Sequence, residues 1–215
     1  MILDVIPCGP LGANTYFFGR RGGDSVAVVD AADAAVVEHY LKEKQKRLAC
    51  VLFTHGHFDH IAGAYWIGQQ TEAELMIHGA DAKALESDRE SLADMAGIHL
   101  PPQRAGRVLS DGDRIEAAGI PLRVLHTPGH SKGSVCYVCD EHRFAFTGDT
   151  VFLESVGRTD LPGGNLKELF DSVMHRVLAL PQEYVLYPGH GEETTVEHEC
   201  RNNPLIRYRG HAWFN

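Results

Sequence analysis

The chain has 215 residues and carries 20 Lys plus Arg against 29 Asp plus Glu, a formal charge of -9 at pH 7. That balance argues against a nucleic-acid role, which draws on clustered cations. The 44% hydrophobic and 23% charged composition excludes disordered and fibrous classes. No run of about 18 apolar residues occurs, so no membrane span is expected, and residues 1–19, lacking a basic leader and a long apolar core, predict a cytoplasmic protein.

Residues 2–7 and 14–19 read as paired strands joined through Gly-Pro-Leu-Gly-Ala, and 25–30 (SVAVVD) as a buried third. A helical pattern follows over 34–46 and ends in KEKQKR, the basic last turn that a helix C-terminus favours. The continuously apolar run 49–54 has the character of a strand covered on both faces. It leads straight into THGHFDHIAG, Thr54 to Gly63, with three histidines and an aspartate within six positions, and 61–70 then reads as a helix. After a polar, Pro-containing stretch over 88–106, residues 107–130 hold strand-like runs separated by Asp-Gly and Ala-Gly turns, and 134–140 and 143–149 add two more. Apolar residues at 166, 169, 170, 173, 174, 177 and 178 mark one helix face, 183–191 is a strand ending at a histidine, and a short helix stops before Pro204. No linker or repeat divides residues 1–215, which read as one domain, and strands followed by helices in each half predict two packed sheets with helices outside.

The five cysteines, at 8, 50, 136, 139 and 200, are odd in number and scattered, which argues against a disulfide framework. Cys136 and Cys139 form a CxxC inside a strand-like run, where side chains three apart face opposite ways; they read as core thiols.

The polar residues carry more information by where they sit. His55, His130, Asp149 and His190 each follow a strand-like run, and groups beyond strand ends converge on one rim in layered α/β architectures. His55 and His57, two apart in an extended stretch, project to the same side, whereas Asp59 and His60 stand at a helix start. That arrangement predicts two ligand subsets around neighbouring metals. Imidazole and carboxylate without thiolate suit zinc, iron or manganese, and an open coordination position makes such a site catalytic.

HGHFDH at 55–60, with TPGH at 127–130, TGD at 147–149 and YPGH at 187–190, resembles the metallo-β-lactamase superfamily over nearly the whole chain, in the family's order. Within it the chain looks like the glyoxalase II (hydroxyacylglutathione hydrolase) branch in its short form. The resemblance implies an αββα sandwich with two mixed sheets and metals at one edge. His55, His57 and His130 would hold one divalent metal ion, Asp59, His60 and His190 a second, and Asp149 would bridge them; zinc comes first, with iron or manganese as alternatives. The implied reaction is hydrolysis of a thioester such as S-D-lactoylglutathione by a metal-bound hydroxide that Asp59 orients. A thiolate leaving group, with a pKa of about 8.5, needs no strong general acid.

Flavodiiron relatives carry a Glu matching His57, and β-lactamases usually a Cys where Asp149 stands, so both branches are disfavoured. The GRTD at 157–160 looks more like short glyoxalases and persulfide dioxygenases, so one iron on residues matching His55, His130 and Asp149 is the alternative reading, with a lactonase or other ester hydrolase behind it. The longer glyoxalase II enzymes have a C-terminal helical region with cationic contacts to glutathione; with the last residue at Asn215, those contacts are expected to be missing. Arg158 is a candidate clamp for a substrate carboxylate or a partner of Asp160. Asn14 and Tyr16 are candidates for the pocket lining. Histidines 39, 78, 99, 126, 142, 175, 198 and 211 match no ligand motif, His126 alone being placed to support a ligand.

Overall fold

A computed structural model describes residues 1–208; His211 lies outside the described residues. Strands β1 (Ile2–Cys8), β2 (Ala13–Gly19) and β3 (Ser25–Val29) pair antiparallel, and β4 (Arg47–Leu52), β5 (Glu74–His78) and β6 (Arg107–Leu109) extend the same sheet in parallel. The second sheet is built from β7 (Arg114–Ala117), β8 (Ile120–His126), β9 (Val135–Cys139), β10 (Phe144–Gly148), β13 (Val185–Pro188) and β14 (Thr194–Thr195), with β10 and β13 its parallel pair. A small hairpin of β11 (Val151–Phe152) and β12 (Ser155–Val156) stands apart.

Among the described residues, five α-helices accompany the sheets: α1 (Ala34–Lys44), α2 (Phe58–Ile61), α3 (Ala64–Gln70), α4 (Leu166–Ser172) and α5 (Val196–Asn202). The alternation of side chains along each strand creates three apolar layers. On β2, Tyr16 and Phe18 face the opposite sheet while Phe17 packs with Val37 and Tyr40 of α1. On β9, Tyr137 and Cys139 join the layer between the sheets, and Cys136 joins the layer under α4 and α5. The two cysteines therefore lie on opposite faces, and burial pushes the Cys136 thiol up to about 11. The result is the αββα sandwich: two mixed sheets face to face, with helices outside. No helix among the described residues is long and apolar enough to cross a membrane.

Four local departures from the sequence reading have physical causes. Asp33 caps α1 by accepting from Ala35 N, but Gln45 turns left-handed and ends the helix at Lys44 instead of 46. The helix expected over 61–70 splits, because Gly63 N donates to Ala31 O at 2.8 Å and docks the chain against the loop after β3. The helix expected over 165–180 is α-helical only to Ser172 and then widens into a π-helical turn over Val173–Val177, closed by Leu178 N on Val173 O. Strand β5, whose Leu75, Met76 and Ile77 are a run of only three buried apolar residues, was not read from the sequence.

Phe146 is fully buried between the sheets, its ring centroid 5.0 Å from Tyr16, 5.2 Å from both Phe18 and Phe144 and 5.7 Å from Tyr187. Phe146→Ala is expected to cost about 3–5 kcal/mol, read as a lower midpoint in urea unfolding. A midpoint unchanged from wild type would show that this layer relaxes freely.

Candidate metal centre

The rim is made by strand ends that point the same way. β3, β4 and β5 run parallel in one sheet, β8, β10 and β13 in the other, and the segments leaving β4, β8, β10 and β13 carry His55 to His60, His130, Asp149 and His190. Main-chain bonds join the sheets here: Val135 N donates to Thr54 O at 2.8 Å, and Asn14 N to Gly189 O at 2.7 Å. Two glycines let the segments approach. A Cβ on Gly189 would sit 2.2 Å from Asp149 Oδ1, and one on Gly148, at φ +48°, would sit 2.4 Å from Thr54 Oγ1. The Pro-Gly-His and Thr-Gly-Asp contexts are thus requirements of space.

The structure brings all seven sequence-predicted ligands together. His55, His57 and His130 place ligand atoms within 4.8 Å of one another, as do His55, His60 and Asp149, and Asp59, His60 and His190. Asp149 spans the groups, with Oδ1 3.4 Å from His60 Nε2 and Oδ2 3.5 Å from His130 Nε2 and 3.8 Å from His190 Nε2.

The donor set fits divalent cations. Nδ1 of His60 donates to Asp30 Oδ2 at 2.8 Å, Nδ1 of His130 to Arg158 O at 2.8 Å, and Nδ1 of His55 to Thr54 Oγ1 at 3.1 Å, whose own hydroxyl is given to Asp30. Each of these rings is left with Nε2 directed at the cluster, available to a cation wherever it carries no proton. Those three Nε2 atoms and Asp149 Oδ1 are buried and make no hydrogen bond among the described residues. Such atoms call for an electrophilic partner.

The electrostatics divide the cluster. Burial, reinforced by neighbouring imidazoles, drives His55 well below its usual range and holds His57 at about 4. Burial likewise brings His130 to about 4, despite the charge of Asp149. Burial also opposes a charge on His60, but Asp149 and Asp30 outweigh it and keep the ring protonated up to about 10. The hydrogen bond to Asp59 raises His190. Burial pulls Asp59 upward, yet the bond from His190 and the charges on His60 and His190 bring it down to about 2. One half is thus a neutral imidazole trio and the other a carboxylate–imidazolium set, in which protons occupy the positions that a cation would take.

Two aspartates essential to this geometry escaped the sequence reading. Asp30, 1% exposed and left-handed at φ 54°, accepts from Thr54 N, Thr54 Oγ1 and His60 Nδ1. Asp81 accepts from Gly56 N at 2.9 Å, Ser131 Oγ at 2.6 Å and Gly133 N at 2.7 Å, clamping the His55–His57 loop to the His130 loop. The signal for Asp30 was an acid closing an apolar strand, SVAVVD; Asp81 follows β5 after a short turn and had no comparable signal.

Asn14 and Tyr16, read as pocket-lining candidates, sit instead beneath the His190 loop. They are 2% and 4% exposed, and their polar groups are spent on Pro188 O and, for Asn14, Gly191 O. Arg158 borders a cavity of about 330 Å3 beside the cluster, with its guanidinium in a bidentate pair with Asp160 at 2.7 and 2.8 Å. His126 stacks on His78, centroids 4.1 Å apart, and its Nε2 bonds Lys132 O in the His130 loop. Histidines 39, 99, 142 and 198 pair with acids on the surface, and His175 lies near Phe170.

Asp30→Asn, which keeps shape and tolerates the left-handed backbone, is expected to weaken metal affinity by about 10–100-fold, measured by competition with a chromogenic chelator. Unchanged affinity would show that His60 needs no orienting anion. Filling the second half of the cluster must also strip the proton from His60, whose pKa is raised, so metal uptake releases acid and tightens as pH rises toward about 10. Zinc titration of chelator-stripped protein at pH 7, in buffers of different ionisation heat, should report release of at least one proton; no release would contradict the role given to His60.

A family model described as the metallo-beta-lactamase superfamily matches residues 8–190. The uncharacterized protein Rv2581c of Mycobacterium tuberculosis is 33% identical over 219 residues, covering 96% of this chain and 98% of its own. Hydroxyacylglutathione hydrolase GloC of Haemophilus influenzae is 27% identical over 211 residues, with 96% and 98% covered. Among solved structures, the BLEG-1 B3 metallo-beta-lactamase superposes with a TM-score of 0.90 at 30% identity, covering 95% of this chain and 99% of that one. TTHA1623 in a di-iron-bound form gives 0.83 at 34%, covering 94% and 98%. ETHE1 from Myxococcus xanthus gives 0.78 at 26%, covering 95% and 84%. From the extent of that match and the paired histidine–aspartate cluster on its αββα rim, the chain belongs to the metallo-beta-lactamase superfamily.

Proposed function

We propose that this member of a metal-dependent hydrolase superfamily cleaves a thioester of the S-D-lactoylglutathione kind, at a pair of divalent ions with zinc as the first candidate and iron or manganese behind it. The observation that carries the reading is the composition of the cavity beside the cluster. Among the described residues, its titratable lining consists of metal-facing groups (His57, Asp59, His130, Asp149 and His190) together with Arg158, which pairs with Asp160. A group positioned to protonate a poor leaving group is not among them, which suits a bond whose leaving thiolate is stable near neutral pH. The GloC relative, a hydroxyacylglutathione hydrolase covered over 98% of its length, points the same way.

When bound, the metal ions supply Lewis acidity toward the carbonyl and lower the pKa of water to about 7. The chain's own residues do the rest. His55, His57 and His130 offer neutral nitrogen, so no charge must be removed to use them. Asp59 stays anionic above pH about 2 and is held at 3.3 Å by His190 Nε2, leaving its carboxylate fixed to accept a hydrogen bond from the attacking water and aim it. Leu11, Phe58, Leu92, Met95 and Leu161 supply apolar walls for an acyl group.

Asp59→Ala is expected to lower kcat/KM on S-D-lactoylglutathione by about 10^2–10^4-fold, with metal content read in the same sample by elemental analysis. Two metals per chain and chelator-sensitive thioester loss would sustain the reading. The second reading, a mononuclear iron persulfide dioxygenase on His55, His130 and Asp149, is favoured by the GRTD form at 157–160. One iron, no thioester cleavage and oxygen uptake with glutathione persulfide would replace the hydrolase by it. Turnover of a β-lactam without thioester loss would move the protein toward the activity named for BLEG-1.

A further inference from the structure

A second cavity, of about 400 Å3, shares His57, Leu92 and Met95 with the first. Three cations line it: Lys83 and Arg89 from the segment after β5, and Lys132 from the loop that carries His130. All three are exposed, and none pairs with a carboxylate among the described residues. Lys42, Lys44, Arg104, Arg123, Arg143, Arg158, Arg176 and Arg201 each have an acidic partner, whereas the charges of these three are left to the cavity they line. Three acids share the cavity. Asp81 has its carboxylate committed to Gly56, Ser131 and Gly133, Asp94 accepts from Met95 N, and Glu90 stands exposed at the rim.

We infer that Lys83, Arg89 and Lys132 in this lobe bind the anionic end of the thiol carrier, while the acyl group lies in the more apolar cavity that shares His57 with it. On this assignment the substrate lies across the residues the two cavities share, with its scissile carbonyl near His57 and its two halves in the two lobes. Free cations that converge on a concave surface recognise carboxylate or phosphate. Two carriers present that chemistry next to a thiol: a glutathione-type peptide with its carboxylates, and a coenzyme A-type carrier with its phosphates. That the ligand is a thiol carrier at all rests on the thioester reading above; the charge preference rests on the lobe itself.

The test uses metal-loaded protein and thioethers, which bind without being cleaved: S-hexylglutathione, S-hexyl-coenzyme A and the uncharged S-hexyl-N-acetylcysteamine. Affinities are measured by calorimetry on wild type and on the triple variant Lys83→Gln/Arg89→Gln/Lys132→Gln, with metal content and thermal unfolding as controls for the fold. At least one anionic thioether should bind wild type more tightly than the uncharged one, and lose about tenfold or more in the variant and again on raising salt. The uncharged thioether should bind both proteins alike. Whichever anionic probe shows the loss identifies carboxylate or phosphate as the recognised group. Equal affinity of wild type and variant for the anionic probes, or no preference for them over the uncharged one, overturns the inference. Thioester turnover is assayed separately: turnover with charge-blind binding removes this site alone, and charge-dependent binding without turnover removes the hydrolase reading and leaves the anion site.

Discussion

The buried carboxylate of Asp30 is the constraint on which the metal-binding rim depends. A charge that is 1% exposed costs several kcal/mol unless it is paired and hydrogen-bonded, and Asp30 meets that cost with Thr54 N, the Thr54 hydroxyl and the His60 ring. Those donors lie after β4 and on α2, so satisfying one anion fixes three separate pieces of chain. It also fixes tautomers. With its hydrogen given to Asp30, the Thr54 oxygen is free to accept from His55 Nδ1, and the same carboxylate takes His60 Nδ1 directly. One side chain therefore turns the Nε2 atoms of two imidazoles toward the cluster.

The remaining segments are held by the same device used twice more. Asp81 ties the His55–His57 loop to the His130 loop through two backbone amides and a serine hydroxyl. Glu199, fully buried, accepts from the Thr194 hydroxyl, Asn203 Nδ2 and Glu154 N, anchoring the β11–β12 hairpin to α5. The chain runs from that hairpin to Arg158, whose carbonyl takes the proton of His130 Nδ1. The positioning function of Arg158 belongs to its backbone, which explains how its guanidinium can be committed to Asp160. In each case a buried acid stabilises loops that have little apolar surface of their own, and does so only in the arrangement that aims a ligand.

This division accounts for what was legible in the sequence. The ligands could be read because their spacing reflects local geometry: His55 and His57 share a side in an extended stretch, and Asp59 and His60 begin α2. The first sheet could be read because burial on both faces makes Val26 to Val29 of β3 and Cys50 to Leu52 of β4 continuous apolar runs. Asp30 and Asp81 could not, since their partners lie 24 to 52 positions away and an isolated aspartate after a strand has the same local pattern as a surface turn. Asn14 and Tyr16 were noticed, but their bonds to Pro188 O span 174 and 172 positions, which turned an expected wall of the pocket into the support of a loop. The π-helical turn after α4 was hidden for another reason. Leu169, Phe170, Val173, Met174 and Val177 remain buried on one side whether the turn is α or π, so the apolar pattern does not distinguish them.

The contrast between rim and cavity bears on how one fold comes to serve different substrates. Around the cluster, the Nδ1 atoms of His55, His60 and His130 are each tied to a hydrogen-bond partner, so a change at one position leaves an uncompensated charge or an unpaired donor at another. Leu11 and Met95, at 60% and 64% exposure, and the free cations Lys83, Arg89 and Lys132 carry no such obligation. Substituting them costs the fold little, because exposed side chains without partners contribute little to stability. Substrate choice can therefore drift on the walls while the buried anions hold the reacting centre still.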